Sequence, residues 1–122
     1  MAVTDLKNIV DQRLEDITKQ NRSMTADELY FEGETGLWCL ITILGSEGRA
    51  IEQDFLESED SWKRKSALTE YLQSTLEQVK VMGIVPDRSL ADVLILIRDN
   101  GIEGVLVSDY SATGLIPMPL TY

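Results

Sequence analysis

The first part of the chain carries apolar residues at three- and four-residue spacing. They are Val3, Leu6, Ile9, Val10, Leu14 and Ile17. This spacing predicts an amphipathic helix with one apolar stripe. Thr4 is placed to cap its start, and the polar residues 21–23 mark its end. A capping-box pattern at residues 25–28 indicates at most one further helical turn.

Three segments with strand character follow, separated by glycine-bounded turns at residues 33–36 and 45–48. The aromatic residues at 29–31 suit a strand. Residues 37–44 are apolar on both alternations, which is typical of a strand covered on both faces of a sheet. Residues 50–55 roughly alternate between apolar and acidic side chains, as a half-buried strand does. We therefore predict a three-stranded antiparallel meander.

A second helix is predicted to begin after Ser58 or Ser61 and to continue to residue 82, because i,i+4 ion pairs mark its first turns and apolar side chains line one helical face. They are Leu68, Tyr71, Leu72, Leu76, Val79 and Met82. Gly83 stands where a helix commonly ends, and Pro86 opposes continuation of the helix.

Residues 91–98 are open to two interpretations. Ser89 and Gly101 are placed to bracket a helix. However, this run is rich in β-branched residues, and residues 99–101 have the sequence of a strong hairpin turn. We favour a hairpin in which the run pairs with residues 102–107.

The resulting element order is α-β-β-β-α-β-β. It defines an α+β fold, in which a mainly antiparallel sheet of about five strands packs against two principal helices. No internal repeat, linker or low-complexity segment divides the sequence, so we expect residues 1–122 to form a single domain.

Residues 113–122 form an unusual tail. Two prolines two positions apart exclude a helix and a central strand. The tail nevertheless contains apolar and aromatic side chains to bury, namely Leu115, Ile116, Met118, Leu120 and Tyr122. Two interpretations are open. The tail packs against its own domain, or it extends across a neighbouring subunit or partner as an oligomer contact.

The charge of the chain is concentrated in one segment. The formal net charge is -10, and residues 27–60 hold ten acids against one base, Arg49, which gives -9 in that segment. Such a field repels nucleic acid and anionic membranes and attracts basic protein surfaces. A face that serves only solubility is the alternative. The candidate partner-binding residues are Glu32, Glu34, Glu52, Asp54 and Glu57.

The chain lacks the residue types most often used in catalysis. It contains no histidine, and its one cysteine, Cys39, lies in a predicted apolar strand, where we expect a buried and inert thiol. Phosphate-binding glycine loops and the ligand spacings of zinc and calcium sites are absent from the sequence. We therefore expect no enzymatic activity, no cofactor and no metal site. The alternative is a pair of carboxylates that share a proton, such as Asp54 with Glu57.

Five residues are candidate contacts for a small anionic ligand. Arg49, Arg64, Arg88 and Arg98 lie in or beside predicted turns and helix starts, where guanidinium groups often meet phosphate or carboxylate. Tyr110 follows a predicted strand and offers an aromatic face. A homo-oligomer that binds such a metabolite or nucleotide between its subunits is therefore one alternative function.

The favoured hypothesis is a small acidic binding protein that engages the basic surface of a protein partner, as inhibitors and immunity or anti-defence proteins do. An adaptor or secretion-type chaperone is a further alternative. We expect a cytoplasmic protein, because the sequence shows no export signal and no apolar run of membrane-spanning length. We also expect a homo-oligomer, and no binding to nucleic acid or membranes.

Overall fold

A mixed five-stranded sheet, with its strands side by side in chain order, forms the centre of the computed structural model. The model describes residues 5–118. The principal elements are α1 (Leu6–Gln20), β1 (Thr25–Gly33), β2 (Gly36–Leu44), β3 (Ala50–Leu56), α2 (Ala67–Thr75), β4 (Lys80–Val85), α3 (Leu90–Asp99) and β5 (Val105–Asp109). Short 3-10 helices, Ser61–Lys63 and Asp87–Ser89, precede α2 and α3. The α+β class and the five strands are confirmed, but the element order differs from the prediction.

Helix α1 follows the predicted apolar stripe. Its buried residues are Leu6, Ile9, Val10 and Ile17. Asp5 caps the helix, since its carboxylate accepts a hydrogen bond of 3.3 Å from the backbone N–H of Asn8. The predicted cap, Thr4, lies outside the described residues. The helix ends at Asn21, as the sequence predicts.

The predicted antiparallel meander is confirmed for β1, β2 and β3. β1 and β2 are joined by a two-residue loop between Gly33 and Gly36, and Gly36 has a φ of 117°, which favours glycine. The helical turn predicted at residues 25–28 is wrong. These residues form the first part of β1, because pairing with β2 along all nine residues outweighs a local capping preference.

The second predicted helix, from Ser58 or Ser61 to residue 82, is too long at both ends. Its first residues form a separate 3-10 helix, and α2 begins at Ala67. α2 ends at Thr75, and the chain returns to the sheet as β4, parallel to β3. Gly83 is a central-strand residue rather than a helix cap, with Phe55 on one neighbouring strand and Val107 on the other. A strand that is buried on both faces is apolar at nearly every position. The apolar residues of β4 therefore match the spacing of the predicted helical stripe by coincidence.

The hairpin predicted at residues 91–107 is also wrong. Residues 90–99 form α3, whose Val93 and Ile97 are buried against the sheet. The helix carries the chain from β4 to β5, which run parallel and therefore need a long crossover. The sheet is consequently mixed, with an antiparallel half, β1–β3, and a parallel half, β3–β5.

Two apolar cores lie on opposite faces of the sheet. The buried residues of the core under α1 are Leu6, Ile9, Val10, Ile17, Cys39, Ile41, Ile43, Leu56, Ile84, Tyr110 and Leu115. Those of the core under α2 and α3 are Phe55, Trp62, Tyr71, Val81, Val85, Val93 and Ile97. Cys39 is buried as predicted, and burial raises the pKa of its thiol to about 12.

Candidate binding surface

Helices α2 and α3 cover only part of their sheet face. They pack on the parallel half, so β1 and β2 stay largely open on this side. Leu29 is 57% exposed and Phe31 is 37% exposed, although alternation and register place them on the same face as the buried Phe55. Trp38 and Leu40, their partners on β2, lie beside them. We call the surface of Leu29, Phe31, Trp38 and Leu40 the open half-sheet.

A stacked aromatic pair forms the centre of the open half-sheet. The rings of Phe31 and Trp38 are 5.5 Å apart between centroids, with an interplanar angle of 17°. The guanidinium carbon of Arg64 lies 4.0 Å from the centroid of the Trp38 ring, within the range of a cation–π interaction. Two neighbours therefore hold Trp38 in place.

A groove of about 300 Å³ runs between the open half-sheet and α2. Its lining residues are Phe31, Trp38, Leu40, Gln53, Phe55, Glu70, Gln73, Ser74 and Glu77. The sheet side is mainly apolar and aromatic, while α2 contributes polar and acidic side chains. Apolar walls with a few polar groups are typical of binding sites.

Two buried polar atoms in the groove lining have no hydrogen-bond partner among the described residues. They are Nε1 of Trp38, a donor, and Oε1 of Gln53, an acceptor. Buried polar atoms are usually paired, and an unpaired one costs about 1–3 kcal/mol.

Trp38 also lines a second groove, of about 490 Å³. The other lining residues are Gly33, Glu34, Thr35, Lys63, Arg64, Lys65 and Ser66. The ammonium of Lys63 is 2.8 Å from a carboxylate oxygen of Asp60. This groove is therefore more basic than the first, although part of its positive charge is already paired.

A buried ionic network holds Arg64. Its guanidinium donates to Oε1 of Glu57 at 2.6 Å and to Oε1 of Glu70 at 2.9 Å. Ser61 donates to Glu57 at 2.7 Å, and the Tyr71 hydroxyl also donates to Glu57. Burial and the charge of Glu57 raise the pKa of Tyr71, which keeps the hydroxyl protonated as a donor. The fully buried Glu57 is thereby satisfied within the chain.

A second ionic network joins α1 to β3. Nε of Arg13 is 2.8 Å from Asp54, its Nη2 is 3.2 Å from Glu52, and the ammonium of Lys80 is 3.5 Å from Glu52. Burial and the hydrogen bond with Glu52 raise the pKa of Asp54 to about 7, in spite of Arg13. Burial acts to raise the pKa of Glu52 too, but the hydrogen bond with Asp54 and the charges of Lys80 and Arg13 lower it overall.

The predicted acidic face therefore needs correction. Glu52, Asp54 and Glu57 point into the molecule and pair with basic side chains of this chain, so they do not join an exposed acidic face. Side chains alternate along β3, so Glu52 and Asp54 point toward α1 and pair there with Arg13. Glu32 and Glu34 are exposed on β1 and in the following turn. They stay candidates for contact with a partner.

The candidate anion-binding residues are not brought together. Arg49 lines a groove at the β2–β3 turn, and Arg88 lines a different one. Arg98 is exposed near the end of α3. Tyr110 is buried, and its hydroxyl donates to the backbone carbonyl of Glu57. Tyr110 is thus a core residue rather than an exposed aromatic face.

The described part of the tail packs against its own domain. Leu115 is buried in the core under α1. Gln12 of α1 donates to the carbonyl of Ile116 and accepts from its N–H, both at 2.8 Å. The carbonyl of Met118 accepts from the N–H of Asp5 at 2.9 Å, while the Ile116 side chain is 70% exposed. Leu120 and Tyr122 lie outside the described residues.

Two residues of the surface, Trp38 and Phe31, were missed at the sequence level. The apolar run of β2 predicted Trp38 to be covered on both sides, and nothing in the run indicates where the helical cover stops. The exposure of Phe31 had a usable signal in the sequence, since alternation places Phe31 on the same strand face as the charged Asp27 and as Leu29. Arg64 was predicted as a candidate anion contact in a basic cluster neutralised by Glu57, Glu59 and Asp60, but not as a neighbour of Trp38.

Comparison of the chain with protein-family models, with curated proteins and with solved structures gives no match. Within residues 5–118, no helix has the length and apolar character needed to cross a membrane. The same residues contain no group of three or more cysteine, aspartate or glutamate side chains arranged to hold a metal ion. The open half-sheet and its grooves are therefore the features of the molecule that point to a function.

Proposed function

We propose that the protein is a non-catalytic binding protein, which holds a basic and apolar segment of a protein partner on the open half-sheet. The observation that carries this proposal is the stack of the exposed Phe31 on the half-buried Trp38, on a sheet face that helices otherwise cover. Contiguous exposed apolar surface marks interaction sites, and aromatic residues supply much of the binding energy at such sites.

The charge around the open half-sheet favours a basic partner. Exposed acids lie along β1 and its turn, at Asp27, Glu28, Glu32 and Glu34, and β1 contains no basic residue. Alternation places Asp27 on the face of the open half-sheet, while Glu28 and Glu32 flank it from the opposite face of β1. Glu77 adds a further exposed carboxylate to the wall of the first groove. Complementary charge speeds encounter and selects the partner, while the aromatic pair contributes the apolar contact.

A peptide of alternating arginine and leucine residues is a suitable probe. The chain has two tryptophans, so replacement of the buried Trp62 by phenylalanine leaves Trp38 as the single fluorescent reporter. We expect a saturable change in Trp38 fluorescence on titration with the peptide. The affinity should fall as salt is added, because screening weakens the attraction between exposed opposite charges.

Two substitutions at the groove test the assignment. Phe31→Ala and Glu77→Lys should each lower the affinity about tenfold, which corresponds to about 1.4 kcal/mol. Leu106→Ala and Glu103→Lys are matched controls at exposed positions on and near β5, the opposite edge strand of the sheet. The proposal is rejected if the control variants lose as much peptide affinity as Phe31→Ala and Glu77→Lys. It is also rejected if Trp38 fluorescence does not change at high peptide concentration.

The second groove favours one other candidate function, the binding of a small anionic ligand against Trp38. Lys65 and the hydroxyls of Thr35 and Ser66 line this groove beside the aromatic ring. A nucleotide panel should then raise the melting temperature by mass action, and Lys65→Ala should remove that rise. Glu77→Lys, in the first groove, should leave nucleotide binding unchanged, which separates the two candidates.

A further inference from the structure

β1 is a long edge strand whose outer side is unpaired. It has nine residues and pairs with β2 on one side. Among the described residues, no backbone hydrogen bond is made to its outer edge. Natural edge strands are commonly protected by charged side chains, proline, bulges or short length. β1 is long and contains no proline or bulge, and its protection of these kinds is limited to the charges of Asp27, Glu28 and Glu32. Its free edge is therefore a template for another strand.

The β1–β2 turn determines which backbone groups point outward. Gly33 and Gly36 flank a two-residue loop, and residues in that position exchange both hydrogen bonds. Because hydrogen-bonded pairs alternate along an antiparallel ladder, the odd-numbered residues of β1 direct their N–H and C=O groups to β2. The even-numbered residues, from 26 to 32, present theirs at the free edge.

This pattern restricts how β1 can pair with β1 of a second copy. In an antiparallel pair related by a two-fold axis, a residue whose backbone groups point to the free edge must lie opposite another such residue. The axis therefore passes between one residue and its own copy in the second chain, and not between two consecutive residues. An axis at Asp27 or Glu28 places a carboxylate opposite its own copy. An axis at Tyr30 places Glu28 opposite Glu32. Like charges directly opposite each other are destabilising in a sheet, which disfavours these three axes. An axis at Phe31 leaves only residues 29–33 paired.

An axis at Leu29 is free of these conflicts and uses the whole strand. The opposed pairs are then Leu29 with Leu29, Glu28 with Tyr30, Asp27 with Phe31, Ala26 with Glu32, and Thr25 with Gly33. No carboxylate stands directly opposite another, and the apolar Leu29 side chains meet at the axis. Full-length pairing without facing acids is thus specific to this register.

We propose that the protein forms a two-fold dimer through β1, with Leu29 on the axis, so that the two five-stranded sheets become continuous. A two-fold contact of this kind is closed and self-complementary. It uses the backbone edge of β1, whereas the proposed partner binding uses the face, so the dimer goes beyond the proposed function and does not depend on it. The open half-sheets of both copies then lie on one side of the joined sheet.

Disulfide trapping tests the register directly. Leu29 is a non-hydrogen-bonded position at the free edge, where opposed Cα atoms lie about 4.5 Å apart, which suits a disulfide. We expect Leu29→Cys to form a covalent dimer under mild oxidation at least tenfold faster than Leu76→Cys, an exposed control on another element. Glu28→Cys should also react slowly, since its partner across the axis is Tyr30. Equal rates at all three positions, or no covalent dimer at position 29, would overturn the proposal.

Mass measurement on the unmodified full chain provides the second arm. Sedimentation of the wild type should show a concentration-dependent dimer, and Leu29→Glu should be a monomer, because two carboxylates then meet at the axis. Mixing Leu29→Glu with Leu29→Lys should restore a dimer that contains one copy of each variant, while Leu76→Glu should stay dimeric like the wild type. A wild type that is monomeric at millimolar concentration, or a mixture that stays monomeric, rejects the dimer.

Salt separates this inference from the proposed function. Each β1 brings three acids and no base to the seam, so added salt should strengthen dimerisation by screening repulsion. The same salt should weaken peptide binding on the open half-sheet. A dimer that dissociates as salt rises contradicts the pairing described here, whatever the result for the peptide.

Discussion

One residue of the described chain adopts a backbone conformation that its type disfavours. Gln78 has a φ of 61°, in the left-handed region, and lies exposed between α2 and β4. This conformation costs an L-residue about 1–2 kcal/mol, and glycine is the usual choice after a helix. We expect Gln78→Gly to raise the free energy of unfolding by about 0.5–1 kcal/mol in urea titrations. Gln73→Gly, inside α2, should instead lower it by about 1 kcal/mol. A loss of stability in both variants would show that Gln78 is not strained.

The roles of single acids were the least predictable feature at this scale. Asp54 and Glu57 look like surface acids in the sequence, because each lies in an acid-rich segment and alternates with or follows an apolar residue that is expected to be buried. Their partners come from elsewhere: Arg13 is 41 positions from Asp54, and Arg64 reaches Glu57 across a turn. Ionic partners at such separations leave no periodic signal, whereas the burial of Cys39 followed directly from its apolar strand.

At the scale of elements, prediction succeeded where periodicity was unambiguous. α1 and the meander of β1 to β3 have clear spacing and clear turn residues, and both are found. The residues of β4 were predicted as helix and those of α3 as strand, because short apolar runs have the same pattern in a buried strand and in a buried helix. The deciding factor is tertiary, because parallel pairing of β3, β4 and β5 requires a helical crossover before each new strand.

Arg64 connects three elements, so its removal should lower the stability of the whole fold. It bonds Glu57 after β3 and Glu70 of α2 from the end of a 3-10 helix. Arg64→Ala leaves the buried Glu57 without its cation, and we expect a loss of about 3–5 kcal/mol in the free energy of unfolding. The double variant Glu57→Gln with Arg64→Met should lose less than Arg64→Ala alone, because no charge is then buried.

Chemical denaturation measures both variants, with Arg98→Ala as the control. The ion pair of Arg98 with Asp99 is exposed on both sides, so its removal should change stability by about 0.5 kcal/mol or less. An Arg64→Ala variant as stable as the Arg98→Ala control would mean that the network contributes little to the fold.

For the whole molecule, Asp54 makes stability depend on pH. Its pKa is about 7 in the folded protein against an ordinary value of 3.8, so the folded state binds this proton more tightly than the unfolded state. Stability from this group is therefore full below pH 4 and is lost as the pH rises toward 7, by at most about 1.4 kcal/mol per pH unit. The lowered pKa of Glu52 acts in the opposite direction.

Asp54→Asn removes this titration and keeps Glu52. Unfolding free energies measured from pH 4 to pH 8 should show the wild type losing stability relative to the variant between about pH 5 and pH 7. Two curves that stay parallel over this range would mean that Asp54 is ionised throughout.

The order in which the chain is synthesised has a consequence for how this molecule is made. α1 is produced early, yet its docking surface includes Leu115, and Gln12 is bonded to Ile116, which is 104 positions later. The ribosome therefore releases α1 and the meander well before the residues that complete their apolar core. Folding on the α1 side must therefore finish after translation has passed residue 116, and until then part of its apolar core stays uncovered.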